Sequence, residues 1–187
     1  MKGLIGKIEK YVYDNTPYSD VAYLAHVESV RMNALKLASK MKADKTIVEV
    51  AALLHDIGKI KGVENHHIES AKTARKLLGK YGCDNKFIEA VEHCIIAHRS
   101  SKSIKIGSIE AQIIKDADGI AFLDVYAGTW LSSFYFMWNI KKFSFEEGVK
   151  QTKAKIQRMY DKIETNYGKK LAKSNYDELM RMLSFLK

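Results

Sequence analysis

The chain has 187 residues, 47% of them apolar, which is enough for a sizeable core and too apolar for a disordered chain. No apolar run reaches the roughly 20 residues that span a bilayer, the first residues lack the regions of a secretory signal, and two cysteines, Cys83 and Cys94, cannot build a disulfide framework. The formal charge is +9, carried mostly by lysines dispersed along the whole chain. The expectation is a cytoplasmic protein with no membrane partner and reduced cysteines. Dispersed lysines read as solvated faces, with nucleic-acid binding as the other reading, and their excess would steer an anionic phosphate.

One proline and few turn clusters favour helices nearly throughout. A first helix is expected over about Gly3 to Tyr13, where Leu4, Ile5, Ile8 and Val12 recur at helical spacing. After a break at Pro17, Ser19 or Asp20 can cap a second that runs to about Met41. A third starts near Asp44 and runs through Ile47, Val50, Ala51 and Leu54 to His55-Asp56, with Gly58 as a stop. Asn65 can cap a fourth, to about Lys80, and Asp84 a fifth, to about His98. Residues Ser100 to Gly107 read as a loop, and Ser108 caps a sixth helix that continues to about Tyr126. A seventh occupies Thr129 to Ile140. Ser144-Phe145-Glu146-Glu147 is a capping box that opens an eighth, to about Glu164. A last helix spans about Asn175 to Phe185. With no repeat or linker, one all-α domain over 1–187 is expected: a core of about 20–125 with the helices of about 128–187 packed on it.

The most informative feature is His55-Asp56, at the end of the apolar run Ala51-Ala52-Leu53-Leu54. Burying an imidazole beside a carboxylate is costly unless each has a partner, and a divalent cation satisfies both. Other ligand types stand in apolar helical stretches on either side: His26 in Ala25-His26-Val27, and Asp118 in Asp116-Ala117-Asp118.

The order His26, then His55-Asp56, then Asp118 resembles the HD superfamily of metal-dependent phosphohydrolases. So do Ile96-Ala97-His98-Arg99-Ser100, the stretch Ile109 to Asp118, and the tail Lys155-Ile156-Gln157 through Thr165 and Gly168-Lys169-Lys170-Leu171-Ala172. These look like the small stand-alone microbial members, and the similarity runs from about Tyr18 to the C-terminus. The resemblance implies a helical bundle of the HD type and a metal held by His26, His55, Asp56 and Asp118. It selects Asp118 over Asp116 as the ligand of an Ala-Asp pair, leaving Asp116 a structural role. The chain departs from many members at Gly119, where they carry a basic residue, and at Ala121, where they carry an acidic one.

Two imidazoles and two carboxylates suit manganese, iron, cobalt, nickel or magnesium, and four ligands leave positions for a water and a phosphate oxygen. One cation is expected; a second requires His67 and His98 to converge. The resemblance also implies Asp56, Lys59, His67 and His98 as catalytic residues, with Lys59 and the histidines stabilising phosphoryl charge. His66 reads as a surface residue and His93 as a satisfied one. The aromatic run Trp130, Phe134, Tyr135, Phe136, Trp138 reads as core packing or a homodimer face, with a nucleobase-stacking wall as the functional alternative. The implied activity is cleavage of a phosphate ester or anhydride of a small substrate, in particular a nucleotide. The alternatives are a cyclic or linear nucleotide phosphodiesterase, or a non-catalytic module that binds nucleotide or nucleic acid.

Overall fold

The computed structural model describes residues 2–16, 21–61, 64–99 and 105–186, and among them every regular element is helical. In chain order these are α1 (Lys2–Asn15), α2 (Val21–Met41), α3 (Lys45–Leu54), α4 (His66–Lys80), α5 (Asn85–Ala97), α6 (Ile109–Phe122), α7 (Thr129–Tyr135), α8 (Phe145–Lys162) and α9 (Asn166–Ser184). A 3₁₀ turn over Ile57–Lys61 follows α3, and a π turn over Phe136–Ile140 follows α7.

Side-chain capping explains most of the starts. The Asp44 carboxylate accepts from the N–H groups of Thr46 and Ile47, at 2.8 and 3.2 Å. Asp84, Ser108 and Ser144 do the same for Phe87, Ala111 and Glu147. Each such cap contributes about 1 kcal/mol. Asn65 precedes α4 differently, in the left-handed region at φ 59° and with no side-chain cap bond. The expected caps Ser19 and Asp20, and residues 100–104 of the expected loop, lie outside the described residues.

Three boundaries differ from expectation. Helix α6 stops at Phe122 rather than Tyr126, because the Asp124 carboxylate folds back to accept from Tyr126 N–H, at 2.9 Å, and from the Ser29 hydroxyl, at 2.7 Å. Helix α9 begins nine residues before Asn175, capped by Thr165, whose hydroxyl accepts from Gly168 N–H. Helix α3 ends at Leu54, and the chain tightens into the 3₁₀ turn instead of carrying His55 and Asp56 in a full helix. Gly58 is therefore not a left-handed stop. Its N–H donates to the Ser70 hydroxyl, and a Cβ there would lie 2.4 Å from the His66 carbonyl oxygen. The glycine is needed because two backbones meet.

Helix α3 is wrapped on all sides, with Val48 and Val50 through Leu54 buried. It packs on α2, α5 and α6, while α2 lies along α6, and α4 pairs with α5 beside the 3₁₀ turn. Leu53, Leu54, Ile95, Ile113 and Ile114 are fully buried where these helices meet, and each contributes about 1.5–3 kcal/mol. Helix α8 closes on α6 at Gly119, where a Cβ would lie 2.8 Å from Ile163 Cγ1 and 2.9 Å from the Met159 carbonyl. A larger side chain at this position would meet Ile163 and the Met159 backbone. The apolar packing thus brings the middle of α2, the ends of α3 and α5, the start of α4 and the middle of α6 to one place, with α8 alongside.

Candidate metal centre

Four side chains from three helices meet at that place. His26 comes from α2, His55 and Asp56 follow the last turn of α3, and Asp118 comes from α6. His26 Nε2 lies 3.1 Å from Asp118 Oδ1, 3.4 Å from His55 Nε2 and 3.7 Å from Asp56 Oδ2. His55 Nε2 lies 3.3 Å from Asp56 Oδ2. All four residues are buried, His55 and Asp56 to 0% and 1% exposure.

Backbone carbonyls orient two of the imidazoles. His55 Nδ1–H donates to the Ala52 carbonyl at 2.7 Å, so Nε2 turns its lone pair to the cluster. His98 is fixed in the same way by the Ile95 carbonyl. Burial pushes His26 down despite Asp118, and pushes His98 down to about 3, so both rings stay neutral at neutral pH. Burial acts the same way on His55, but the adjoining Asp56 and then Asp118 overcome it and raise its pKa. Burial would raise the Asp56 and Asp118 carboxyls; Lys59 and His55 hold the first well below the usual range, and Lys162 and His26 the second.

Asp56 offers its two oxygens to two groups of donors. Oδ2 faces His26 and His55, while Oδ1 lies 3.4 Å from His66 Nε2 and 3.6 Å from His98 Nε2. Oδ1 is fully buried and accepts no hydrogen bond among the described residues. A buried carboxylate oxygen in that state is costly, and a cation would satisfy it. Donor atoms of His26, His55 and Asp118 all lie within 4.8 Å of one another, as do those of Asp56, His66 and His98. Mixed nitrogen and oxygen donors at these distances suit a divalent cation, and the cluster could hold one.

The expected catalytic residues are not all brought together. Lys59 reaches back from the 3₁₀ turn to pair with Asp56, and His98 stands beside the same carboxylate. His67 does not. Its Nδ1 lies 3.2 Å from Arg99 Nη1, and His66, expected at the surface, takes the place facing Asp56. His66 is the first residue of α4 and faces Asp56, and the adjacent ring, about 100° round the helix, faces Arg99. His67 and His98 therefore do not form the pair that a second cation was expected to require.

A pocket of about 230 Å³ opens over the cluster. Besides the residues above, Arg99, Lys155, Met159 and Lys162 line it. The α8 residues had no assigned role in the sequence reading. Lys155, Met159 and Lys162 recur at i, i+4 and i+7, which marks one helix face, but only the packing at Gly119 turns that face to the site. Lys162 pairs with Asp118 Oδ2. Asp116, two residues from Asp118, faces away: its carboxylate accepts from Gln112, from the N–H groups of Glu164 and Thr165, and from the Thr165 hydroxyl. The aromatic run does not line the pocket. Phe134, Trp138 and Phe145 pack on one another where α7 and its π turn meet α8, with Trp138 and Phe145 partly exposed. His93 Nε2 accepts from Gly107 N–H at 3.0 Å, away from the cluster.

Residues 23–123 match the family described as the HD domain. The chain is 28% identical over 137 residues to a tRNA (cytidine(56)-2'-O)-methyltransferase of Picrophilus torridus, covering 64% of this chain and 39% of that protein. It thus spans about two fifths of the length of the curated relatives it first matches. In fold it is similar to Bacillus subtilis YpgQ, with a TM-score of 0.76 and 20% identity, covering 98% of this chain and 94% of the other. A structure of YpgQ in complex with ADP gives the same TM-score. A predicted HD superfamily hydrolase from an uncultured Thermotogales bacterium is similar at a TM-score of 0.67 and 22% identity, covering 95% and 88%. Among the described residues no helix is long and apolar enough to cross a membrane.

Proposed function

The chain belongs to the HD domain family, and from that premise we propose that it is a divalent-metal-dependent hydrolase of a phosphate ester or anhydride, with a nucleotide as substrate. The observation that carries the reading is the convergence of His26, His55, Asp56 and Asp118 beneath a pocket walled by Lys59, Arg99, Lys155 and Lys162. Such a wall suits an anion. At about 230 Å³ the pocket is smaller than the 300–1,000 Å³ of sites that enclose a whole ligand, so it would take the phosphate end and leave the nucleoside at its mouth. The ADP complex of YpgQ supports a nucleotide; the likeness to a tRNA methyltransferase supports a nucleic-acid phosphate as the second reading.

His26, His55, Asp56 and Asp118 would hold the cation, which when bound supplies Lewis acidity to the phosphoryl group and acidity to a water. Lys59 stands beside Asp56 at the pocket wall, where it can donate to a phosphoryl oxygen. His98 is neutral and anchored through Nδ1, and so presents an acceptor rather than a charge. His66 and His98, with Asp56 Oδ1, make a second donor group, and this geometry favours a second cation there over the His67–His98 pairing.

Screening nucleotides and phosphodiesters with manganese, iron, cobalt, nickel and magnesium tests the reading. Cleavage of a phosphate bond is expected with at least one pairing, lost in excess chelator and restored by metal. Cleavage that persists after long incubation with chelator contradicts it. The histidines separate in the same assay. His66→Ala should weaken metal affinity by roughly 10- to 100-fold, with His67→Ala near wild type; the reverse order, read by metal titration, would return the role to His67.

A further inference from the structure

Lys155 differs from the other lysines of the pocket. Lys59 pairs with Asp56 and Lys162 with Asp118. Lys155 has no carboxylate within ion-pair distance among the described residues. Its Nζ donates to the Ser133 hydroxyl at 3.0 Å and stands 4.8 Å from the centre of the Phe122 ring. The side chain is half-buried in the pocket wall. Burial, and then the charges of Lys59 and Arg158, pull its pKa down to about 8. The fold therefore keeps an ammonium where its charged form is disfavoured, and such residues cluster at binding sites. The Ser133 hydroxyl and the Phe122 ring offer no full counter-charge, which an anion entering the pocket would supply.

The place of that anion follows from the neighbours. Lys59 and Lys162 touch the carboxylates of the cluster, whereas Lys155 contacts neither Asp56 nor Asp118. Its ammonium is held off both carboxylates, against Ser133 and Phe122. Four cationic side chains face two carboxylates in this pocket, so a bound divalent metal leaves a positive excess that one phosphodiester charge would not balance. A chain of linked phosphates would.

We propose that Lys155 binds a second substrate phosphate, the one beyond the group at the Asp56–Asp118 cluster, so that α8 selects phosphoanhydrides over monophosphates. The inference rests on the phosphohydrolase reading above. It puts substrate selection on a helix outside residues 23–123, the segment that matches the HD domain.

Calorimetry on the manganese-loaded full chain tests it, with methylenediphosphonate as a base-free mimic of two linked phosphates and orthophosphate as the control. Lys155→Met should weaken methylenediphosphonate binding by roughly 10- to 100-fold, the usual loss for a charge-assisted hydrogen bond. Orthophosphate and manganese affinity should be unchanged, and Lys155→Arg should restore part of the loss. Without ligand, Lys155→Met should melt no lower than the wild type, since a neutral side chain replaces an ammonium that has no counterion. Undiminished methylenediphosphonate binding overturns the proposal. So does an equal loss for orthophosphate, and so does a lowered melting temperature with intact binding, which would make Lys155 a strut between α7 and α8. Nucleotide hydrolysis by the wild type is scored separately. If it is absent while the Lys155 effect is present, the hydrolase reading fails and the phosphate site stands.

Discussion

Asp56→Ala should abolish hydrolysis and weaken metal affinity by more than about 100-fold, since even groups that only orient a ligand cost 10- to 100-fold. The expectation follows from the position of this carboxylate. Its Oδ2 stands beside His26 and His55, and its Oδ1 beside His66 and His98, so the substitution removes a donor from both groups. It also removes the carboxylate that pairs with Lys59. The effect is readable without a substrate. A metal present at about 100 times its dissociation constant stabilises the wild type by about 2.7 kcal/mol, or roughly 5–11 °C for a chain of this length. In Asp56→Ala that rise should vanish, while the metal-free protein stays folded. A manganese-induced rise equal to that of the wild type would remove Asp56 from the site.

Asp116→Ala should be among the most destabilising single changes near the site, at about 2–4 kcal/mol, or roughly 4–16 °C in melting temperature. The Asp116 side chain is fully buried and accepts from Gln112, Glu164 and Thr165. Removing it leaves the turn between α8 and α9 with half-buried donors that have lost their acceptor, and this costs more than an exposed bond would. The change also loosens the join that sets Lys162 against Asp118, so metal affinity should fall with stability. Asp116→Asn keeps one acceptor oxygen and should lose less of both. A melting temperature for Asp116→Ala within about 1 °C of the wild type would show that α6 is held to this turn by packing alone.

How much of this was legible in the sequence depended on how local its cause is. The caps at Asp44, Asp84, Ser108 and Ser144 were readable because each is one side chain accepting from an N–H two or three residues on. The first half of α9 was not. Its inward face is Gly168 and Ala172, with Tyr167 and Leu171 half-buried beside them, a short apolar stripe interrupted by a glycine and by Lys169-Lys170. Asp118 and Asp116 face apart, one carboxylate toward His26 and the other toward Thr165, a separation that two residues on one helix make readable. His66 and His67 were harder. Both rings lie near the start of α4, and no residue pattern states which of the two faces Asp56 and which faces Arg99. Lys155 and Lys162 were readable as helical, but their contact with the site depends on α8 approaching α6 over Gly119. That glycine registered in the sequence only as a missing basic residue. The structure gives its reason, since Ile163 and the Met159 carbonyl fill the space.

The central claim is that the His26–His55–Asp56–Asp118 cluster holds the cation on which phosphate-bond cleavage depends. Its most direct test is to strip the protein of metal and titrate manganese back while recording occupancy and turnover in the same sample, on the best substrate from the screen. Turnover should rise in proportion to occupancy from zero, and both should be lost in His55→Ala. Turnover that is present before metal is added, or that survives His55→Ala, would contradict the account.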